Sequence, residues 1–314
     1  MEAMSIKRKK RNTLGENSNS RIAYLMVLPT VILFLAFCIY PIIHVLIVSL
    51  FEYDGMTDMK FIGFDNYIRV FSDTTWWKSV LNTVEFGLIS PIVQIPISLV
   101  LAVVLNGQLK GKNFFRTALF LPSITSTAIM GIIFSFMFSS YNGIINGILK
   151  DVLGVTSRIT WLEKEGTAKF VIILFSTWSH VGYYMVLFLA GLQKIPGEVY
   201  ESAAVDGANT FQTFTRVTVP MLSSSLRTII MLSILNTMRM FDTVKVITNG
   251  GPAQTTKVMT MHIYSYYFEP ERGKLQQGYA SSLAIVGLII TAVIAVIYLI
   301  VSKKATKDNE EALL

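Results

Sequence analysis

The sequence has few charged residues, a single cysteine and no recognisable catalytic motif. Only 15% of its 314 residues are charged, whereas 52% are hydrophobic, which excludes an ordinary soluble composition. The lone Cys38 lies in an apolar run, so no disulfide can form within the chain. His44, His180 and His262 lack metal-ligand spacing, and neither H-E-x-x-H nor G-x-S-x-G occurs. We therefore expect no metal site and no catalytic centre.

A complete phosphate-binding loop is also missing. Gly107–Asn113 resembles one, but its spacing is one residue short, and Asn113 stands where Ser or Thr should hold magnesium. The chain is therefore predicted not to hydrolyse ATP, not to be an enzyme and to bind no cofactor of its own. Its net charge of +7 does not indicate a nucleic-acid partner, because the basic residues flank apolar runs instead of lining one face.

Long apolar runs are what the sequence has instead. A helix needs about 20 apolar residues to cross the hydrocarbon core of a bilayer, and six runs reach that length. We predict an all-α membrane protein with six transmembrane helices. The first run is too long for the apolar core of a cleavable signal peptide, so it is predicted to be retained. The six runs are Ile22–Leu50, Val80–Leu105, Phe114–Phe138, Phe170–Leu192, Leu226–Ile247 and Tyr279–Val301.

The distribution of basic residues predicts that both termini lie in the cytosol. With the N-terminus inside, the cytosolic segments hold fourteen Lys and Arg residues against ten in the outer segments. The tightest clusters lie at the two ends and in the Asn106–Asn113 loop, as the positive-inside rule requires. This predicts a basic cytosolic tail over residues 1–21, a six-helix transmembrane domain over residues 22–301 and a cytosolic tail over residues 302–314.

The interval Ile195–Leu222 is the one well-marked polar stretch in the hydrophobic second half, and this orientation places it in the cytosol. Pro196 suits the first turn of a helix, which good helix formers continue through Glu198–Ala204. Gly207 can take the left-handed conformation that ends such a helix, and Phe211–Val217 can form a second one. We predict two short surface helices between the fourth and fifth spans.

Five positions of this interval match a known pattern: Glu201, Ala203, Asp206, Gly207 and Pro220. They resemble the EAA loop of binding-protein-dependent ABC importer permeases, in the E-x-A-x-x-D-G-A form typical of the carbohydrate-uptake branch. The family more often has Ala at the position of Ser202, which is also small. The alternative is an ordinary amphipathic turn between two membrane helices. Other stretches resemble the maltose and multiple-sugar permeases in order and spacing: Phe114–Pro122, Gly143–Leu149, Trp161–Leu162, Phe188–Pro196 and Phe241–Pro252.

The resemblance implies the type I ABC importer permease fold, in the bacterial cytoplasmic (inner) membrane. It implies import of a sugar, with an oligosaccharide expected. The implied partners are a second homologous permease subunit, two ATP-binding cassette subunits that bind ATP and magnesium, and an extracytoplasmic solute-binding lipoprotein or periplasmic protein. In this family the loop is a coupling helix that docks on the ATPase. The expected coupling residues are Glu198, Glu201, Ala203, Asp206 and Gly207.

Two stripes of side chains on the fourth and fifth spans predict the substrate site. Polar groups are costly in lipid, so the stripes should face each other or a water-filled cavity, and hydroxyl, amide and aromatic groups suit a sugar. Maltose-type permeases, which the chain resembles, contact sugar from these two helices. The alternative is that each Ser or Thr bonds its own helix backbone or a neighbouring helix. The stripes, at helical spacing, are Ser176, Ser179, His180 and Tyr183, then Ser233, Asn236, Thr237 and Met240.

Arg239 is a charged residue within the fifth span. A guanidinium is expensive there unless it is paired or hydrated, so it indicates a functional group by default. One reading is an internal ion pair with Asp242, one turn away. The other is a bidentate contact with a carboxylate-bearing substrate such as a uronic-acid oligosaccharide, with His180 nearby. The sequence leaves both readings open.

Two other protein classes are weighed against an ABC importer. An intramembrane enzyme would need paired catalytic groups at one depth, and none converge in the sequence. A self-powered secondary sugar carrier could use the same polar stripes. It would not need an EAA loop, however, and such carriers commonly show two related halves. Dependence of transport on Glu201 and on a partner ATPase discriminates the carrier from the importer.

Overall fold

The computed structural model describes residues 13–270 and 274–311, and the side chains of residues 24–270 and 274–304. The described part is mostly helical, with one two-stranded antiparallel sheet that pairs Phe51 with Phe61. The strands are β1 (Phe51–Glu52) and β2 (Lys60–Phe61). The helices are α1 (Thr13–Phe34), α2 (Tyr40–Val48), α3 (Asp65–Ser72), α4 (Thr74–Asn106), α5 (Lys112–Ile124), α6 (Thr127–Met137), α7 (Ile144–Leu153), α8 (Glu165–Leu192), α9 (Gly197–Val205), α10 (Thr210–Thr213), α11 (Val219–Met221), α12 (Ser223–Met238), α13 (Asp242–Ile247), α14 (Met259–Phe268) and α15 (Gln277–Glu311).

Four stretches of described helix are long and apolar enough to cross a membrane on their own. Two bent helix pairs bring the number to as many as six if each pair counts as one span. The first helix begins before the apolar run, because α1 starts at Thr13, and α15 continues past residue 301 to Glu311. The basic cluster at residues 7–11 lies outside the described residues. The four stretches are Tyr24–Val48, Thr74–Asn106, Glu165–Leu192 and Gln277–Lys304.

The hydropathy of the third apolar run predicted one continuous helix, but the structure has two. The run is divided into α5 and α6, which meet at 95°. Pro122 lacks a backbone N–H, and the hydroxyls of Ser123 and Thr125 bond back to Phe120 O and Leu121 O at 2.7 and 2.9 Å. Such groups weaken the helical ladder, and the backbone of Thr125 is extended. The chain therefore turns sharply before α6.

The fifth apolar run is also broken. Helix α12 ends at Met238 and α13 begins at Asp242, so Arg239–Phe241 is not helical. The last bonds of α12 are the tight i to i−3 type, from Arg239 N to Asn236 O and from Met240 N to Thr237 O. The apolar run had predicted a continuous helix because hydropathy does not record where backbone bonding stops.

Helices α4 and α8 form the centre of the packing, with α5 and α12 against them. A buried apolar cluster joins these helices, including Leu99, Phe188 and Ile229. A second cluster lies around Phe175 and a third around Trp76. These clusters hold α8 and α12 side by side, which is the arrangement that the two polar stripes require.

Helix α8 approaches α5 most closely at Gly182. A Cβ atom there would overlap the backbone carbonyl of Leu119 and come within 2.9 Å of Phe120 Cα. Since backbone atoms cannot move aside as a side chain can, Gly182→Ala should push the helices apart and cost about 1–3 kcal/mol. We expect a lower thermal midpoint of the purified complex. Gly166→Ala, on α8 with nothing within 4 Å of the added atom, should cause no loss; equal midpoints for the two variants would contradict the prediction.

Asp73 ties the start of α4 to α14 and α15. Its carboxylate accepts hydrogen bonds from the backbone N–H groups of Thr75 and Trp76, which caps α4. It also accepts from Tyr279 Oη at 2.8 Å, and His262 Nε2 lies 3.3 Å away. Burial lowers the pKa of His262 to about 4, although Asp73 opposes this shift. His262 is therefore neutral near pH 7 and acts as a packed structural group.

Candidate functional site

A cavity of about 130 Å³ lies between α4, α8 and the break that separates α12 from α13. Six of the nine predicted substrate residues line it: Ser176, His180, Asn236, Thr237, Arg239 and Met240. The other three, Ser179, Tyr183 and Ser233, are not part of its lining. The rest of the wall is formed by Gln94, Thr127, Tyr184, Phe241, Asp242 and Thr243. The two predicted stripes therefore meet at one cavity.

Both helix breaks border this cavity. Thr127 begins α6 just after the 95° bend, and Arg239–Phe241 is the non-helical segment of the fifth run. Irregular backbone at membrane depth is tolerated where it is buried in protein or lines a water-filled cavity, because its N–H and C=O groups need partners. Broken helices around a polar cavity are also a recurrent way of building transport sites.

Gln94 is the main cavity residue that the sequence analysis missed. Its side-chain amide donates from Nε2 to Ser176 Oγ at 3.0 Å and accepts at Oε1 from Ser233 Oγ at 3.0 Å. The serine hydroxyls are thus bonded to a neighbouring helix, the alternative role considered for them. The sequence did contain a signal for Gln94. A side-chain amide inside an apolar span is costly unless it is hydrogen-bonded, so it indicates a polar partner on a neighbouring helix.

Tyrosine and histidine side chains form the aromatic part of the wall. His180 Nδ1 lies 2.9 Å from the carbonyl oxygen of Ser176, which can only accept, so Nδ1 donates and Nε2 is left for a ligand. Tyr184 lines the cavity in place of its neighbour Tyr183, and its hydroxyl accepts from Asn236 Nδ2 at 3.4 Å. The wall therefore offers hydroxyl, amide and ring groups that suit the polar and C–H surfaces of a sugar.

Arg239 and Asp242 both line the cavity but do not form an ion pair in the part of the chain that the structure describes. The Arg239 guanidinium also makes no side-chain hydrogen bond to any described residue, and both side chains are exposed. Lys245, by contrast, pairs with Glu269 at 2.6 Å. The geometry of this chain therefore leaves the charge of Arg239 available to a ligand.

The interval Ile195–Leu222, called the coupling loop below, has the predicted local structure in its first half. Pro196 precedes α9, and Gly207 follows it in the left-handed region at φ +77°, as predicted. The carbonyls at the end of α9 are bonded by Gly207 N and Ala208 N, at 3.1 and 3.0 Å. Among the expected coupling residues, Ala203 is buried, whereas the other four, Glu198, Glu201, Asp206 and Gly207, are exposed.

The second half of the loop is longer than predicted. Helix runs from Thr210 to Met221 through a π-helical segment, and then meets α12 at 73°. A capping box between Asn209 and Gln212 starts it, with bonds of 2.9 Å in both directions. The predicted range of Phe211–Val217 missed this cap.

Among the described residues, no group of three or more His, Cys, Asp or Glu side chains is placed to hold a metal ion.

Comparison with known proteins decides the family. Residues 94–307 match the model of the binding-protein-dependent transport system inner membrane component. The chain belongs to this family. The matched region includes the broken third and fifth runs, the cavity and the coupling loop. Membership makes the chain a membrane component of an ABC importer, whose ATP hydrolysis occurs in separate subunits, and it does not favour the self-powered carrier.

Several curated relatives of this permease carry sugar-transport names. The permease is 35% identical to the arabinooligosaccharides transport system permease protein AraP of Bacillus subtilis, over 90% of this chain and 88% of that protein. It is 34% identical to the lactose transport system permease protein LacF of Rhizobium radiobacter, over 87% and 91%. It is 31% identical to the trehalose/maltose transport system permease protein MalF of Thermococcus litoralis, over 90% and 94%.

Solved structures share the permease fold. A chain of a bacterial ABC transporter involved in the import of the acidic polysaccharide alginate matches with a TM-score of 0.78 at 21% identity, covering 94% of this chain and 99% of that one. A second alginate transporter structure, in complex with an alginate pentasaccharide-bound periplasmic protein, matches with a TM-score of 0.79 at 22% identity, covering 95% and 99%. At these identities the match establishes the fold.

Proposed function

We propose that this permease is one of two membrane subunits of an ATP-driven importer that moves an oligosaccharide from an extracytoplasmic binding protein into the cytoplasm. The observation that carries the proposal is the polar cavity at two helix breaks, whose walls include the helices on either side of the coupling loop. The names of the relatives, which specify arabinooligosaccharides, lactose and trehalose/maltose, support a sugar as the substrate.

The proposed topology has six spans, with the bent pairs counted as spans and both termini in the cytosol. Residues 22–301 would form the permease domain in the bacterial inner membrane, between a basic tail over residues 1–21 and a tail over residues 302–314. The basic clusters near both ends support this orientation. It places α9 in the cytosol, where an ATPase can reach it.

The proposed mechanism follows from how the coupling loop is attached. Helix α9 follows α8 after a short connection, and the Thr210–Met221 helix leads directly into α12. Two ATP-binding cassette subunits, which would bind ATP and magnesium, close and open against this loop and against that of a second homologous permease. Because both cavity helices are joined to the loop, a rigid-body movement of α9 would reshape the cavity between them.

The proposed coupling contacts are Glu198, Glu201, Ala203, Asp206 and Gly207. The proposed substrate contacts keep the predicted stripes and Arg239, with four of the six cavity-lining members as the primary group. The lone pairs and donors of His180, Asn236 and Thr237 would bond sugar hydroxyls, and Arg239 would bind a carboxylate if the oligosaccharide contains uronic acid. The remaining predicted residues, Ser176, Ser179, Tyr183, Ser233 and Met240, would shape or support the site.

The test is ATPase stimulation in the reconstituted complex with its partner subunits and binding protein. The binding protein is offered a panel of neutral and uronate-bearing oligosaccharides, and ATP hydrolysis and uptake are measured together. We expect uptake that requires ATP and a loaded binding protein. A complex that accumulates sugar without ATP, or that responds to none of the oligosaccharides, would overturn the proposal.

A further inference from the structure

Gln94 lies well inside α4, a helix that neither polar stripe includes. Its side chain is buried, with 1% of its surface exposed. Burying an amide among apolar helices is unfavourable unless its donors and acceptors are bonded. The amide of Gln94 is bonded on both sides, so its position depends on its partners as much as theirs depends on it.

The two partners lie on different helices. Ser176 on α8 accepts from Nε2, and Ser233 on α12 donates to Oε1, both at 3.0 Å. Both serines are buried, with 4% and 0% of their surface exposed. A planar amide holds its oxygen and nitrogen at a fixed separation, so the two bonds together set how far apart α8 and α12 lie and how each is rotated.

Each of these serines in turn holds a cavity residue one turn further along its helix. The carbonyl of Ser176 accepts from His180 Nδ1 at 2.9 Å, and the carbonyl of Ser233 accepts from Thr237 Oγ1 at 2.8 Å. His180 and Thr237 face the cavity from opposite helices. Gln94 is therefore shared by two series of hydrogen bonds. One leads through Ser176 to His180, and the other leads through Ser233 to Thr237.

We propose that Gln94 is a positioning residue for the substrate site: it fixes α8 against α12 and thereby orients His180 and Thr237 toward the sugar. The proposal rests on the proposed function, since it concerns the same cavity. It assigns the hydroxyls of Ser176 and Ser233 to Gln94 and not to the sugar. Substrate preference should therefore change when either the amide or the two hydroxyls are removed.

The variant Gln94→Met keeps the length of the side chain and removes both hydrogen bonds. We expect uptake at saturating loaded binding protein to fall about tenfold, the order of effect for lost buried hydrogen bonds that orient a reacting group. We also expect a changed ratio of uptake rates for two oligosaccharides of different length delivered by the same binding protein. General destabilisation would reduce both sugars equally and leave the ratio unchanged.

The matched control is Ser98→Ala. Ser98 is buried one turn along α4, and its hydroxyl lies 2.7 Å from Gln94 O on its own helix and 3.0 Å from Val181 O, so it also contacts α8 but leaves the Gln94 side chain untouched. It does not line the cavity, and its removal should leave the ratio of uptake rates unchanged. A ratio that shifts equally in Ser98→Ala and Gln94→Met would overturn the positioning role.

A double-mutant cycle tests the assignment of the serine hydroxyls. Ser176→Ala with Ser233→Ala should reproduce the altered ratio, and adding Gln94→Met should change it little further, because all three substitutions break the same bonds. These serine variants also decide the question if Gln94→Met fails to assemble. An assembled serine variant with the wild-type ratio, or additive effects in the cycle, would overturn the inference. A wild-type complex that imports no oligosaccharide would overturn the proposed function, and this inference with it.

Discussion

Replacing Glu201 with lysine should reduce ATP-driven sugar uptake about 100-fold, because a reversed charge in a docking interface costs several kcal/mol. Glu201 lies on α9 with an exposed side chain that bonds no other described side chain. Its removal should therefore leave the fold of this chain intact, and its effect must come from outside the chain. Uptake and the amount of ATPase that copurifies are measured on the same membranes.

The control for this charge reversal is Thr215→Lys, which adds a positive charge to the second helix of the same loop. Thr215 is exposed, and its hydroxyl bonds only to backbone carbonyls of its own helix. We expect it to keep most of the uptake and of the bound ATPase. If Glu201→Lys retained ATP-independent uptake, the chain would be a self-powered carrier; if both variants were equally inactive, α9 would have no special role.

The local structure of the coupling loop could be predicted from the sequence because its signals are local. Pro196 and Gly207 act through their own backbone preferences: Gly207 follows α9 in the left-handed conformation as expected, and Pro196 lies one position before the helix instead of in its first turn. The capping box of Asn209 and Gln212 could also have been predicted from the sequence, because it depends only on these two residue types at a three-residue spacing. These features require no knowledge of what the helices pack against.

The helix breaks could not be predicted in the same way. Hydropathy finds apolar length, and the third and fifth apolar runs, Phe114–Phe138 and Leu226–Ile247, continue through Thr125 and Met240. Where the backbone leaves the helix depends on side chains that compete for its carbonyls and on the partners that the neighbouring helices offer. The breaks matter for function because they bring Thr127 and Arg239 to the cavity wall.

The two polar stripes were predicted to face each other or a cavity, and most but not all of their residues line one cavity. Spacing placed Ser176 and His180 on one face, and both line the cavity. Spacing alone could not show that Ser233 points at Gln94, or that Tyr184 lines the cavity in place of its neighbour, because these details depend on the rotation of α8 and α12 against α4. That rotation is shown by hydrogen bonds between residues far apart in the sequence, such as the bond from Ser233 to Gln94.

Arg239 has the setting of a ligand-binding charge. It directly follows α12 as the first residue of the non-helical segment at the cavity, and Asp242 on the next helix does not pair with it within the described residues. A guanidinium at membrane depth is expensive unless it is paired or hydrated. A neutral sugar carries no charge to pair with the guanidinium, whereas a carboxylate could bind it through two parallel hydrogen bonds.

Arg239→Gln should therefore reduce uptake of a uronate-bearing oligosaccharide about 30-fold, in keeping with about 2 kcal/mol for a hydrogen bond to a charged group, and leave a neutral oligosaccharide of equal length within about twofold. Uptake of both sugars is measured in proteoliposomes with a binding protein that accepts each. Arg227→Gln, which removes a guanidinium from the other end of α12, should affect the two sugars alike. If Arg239→Gln leaves uptake of both unchanged, or lowers both by the same factor, the charge does not select an anionic substrate and Arg239 serves the fold.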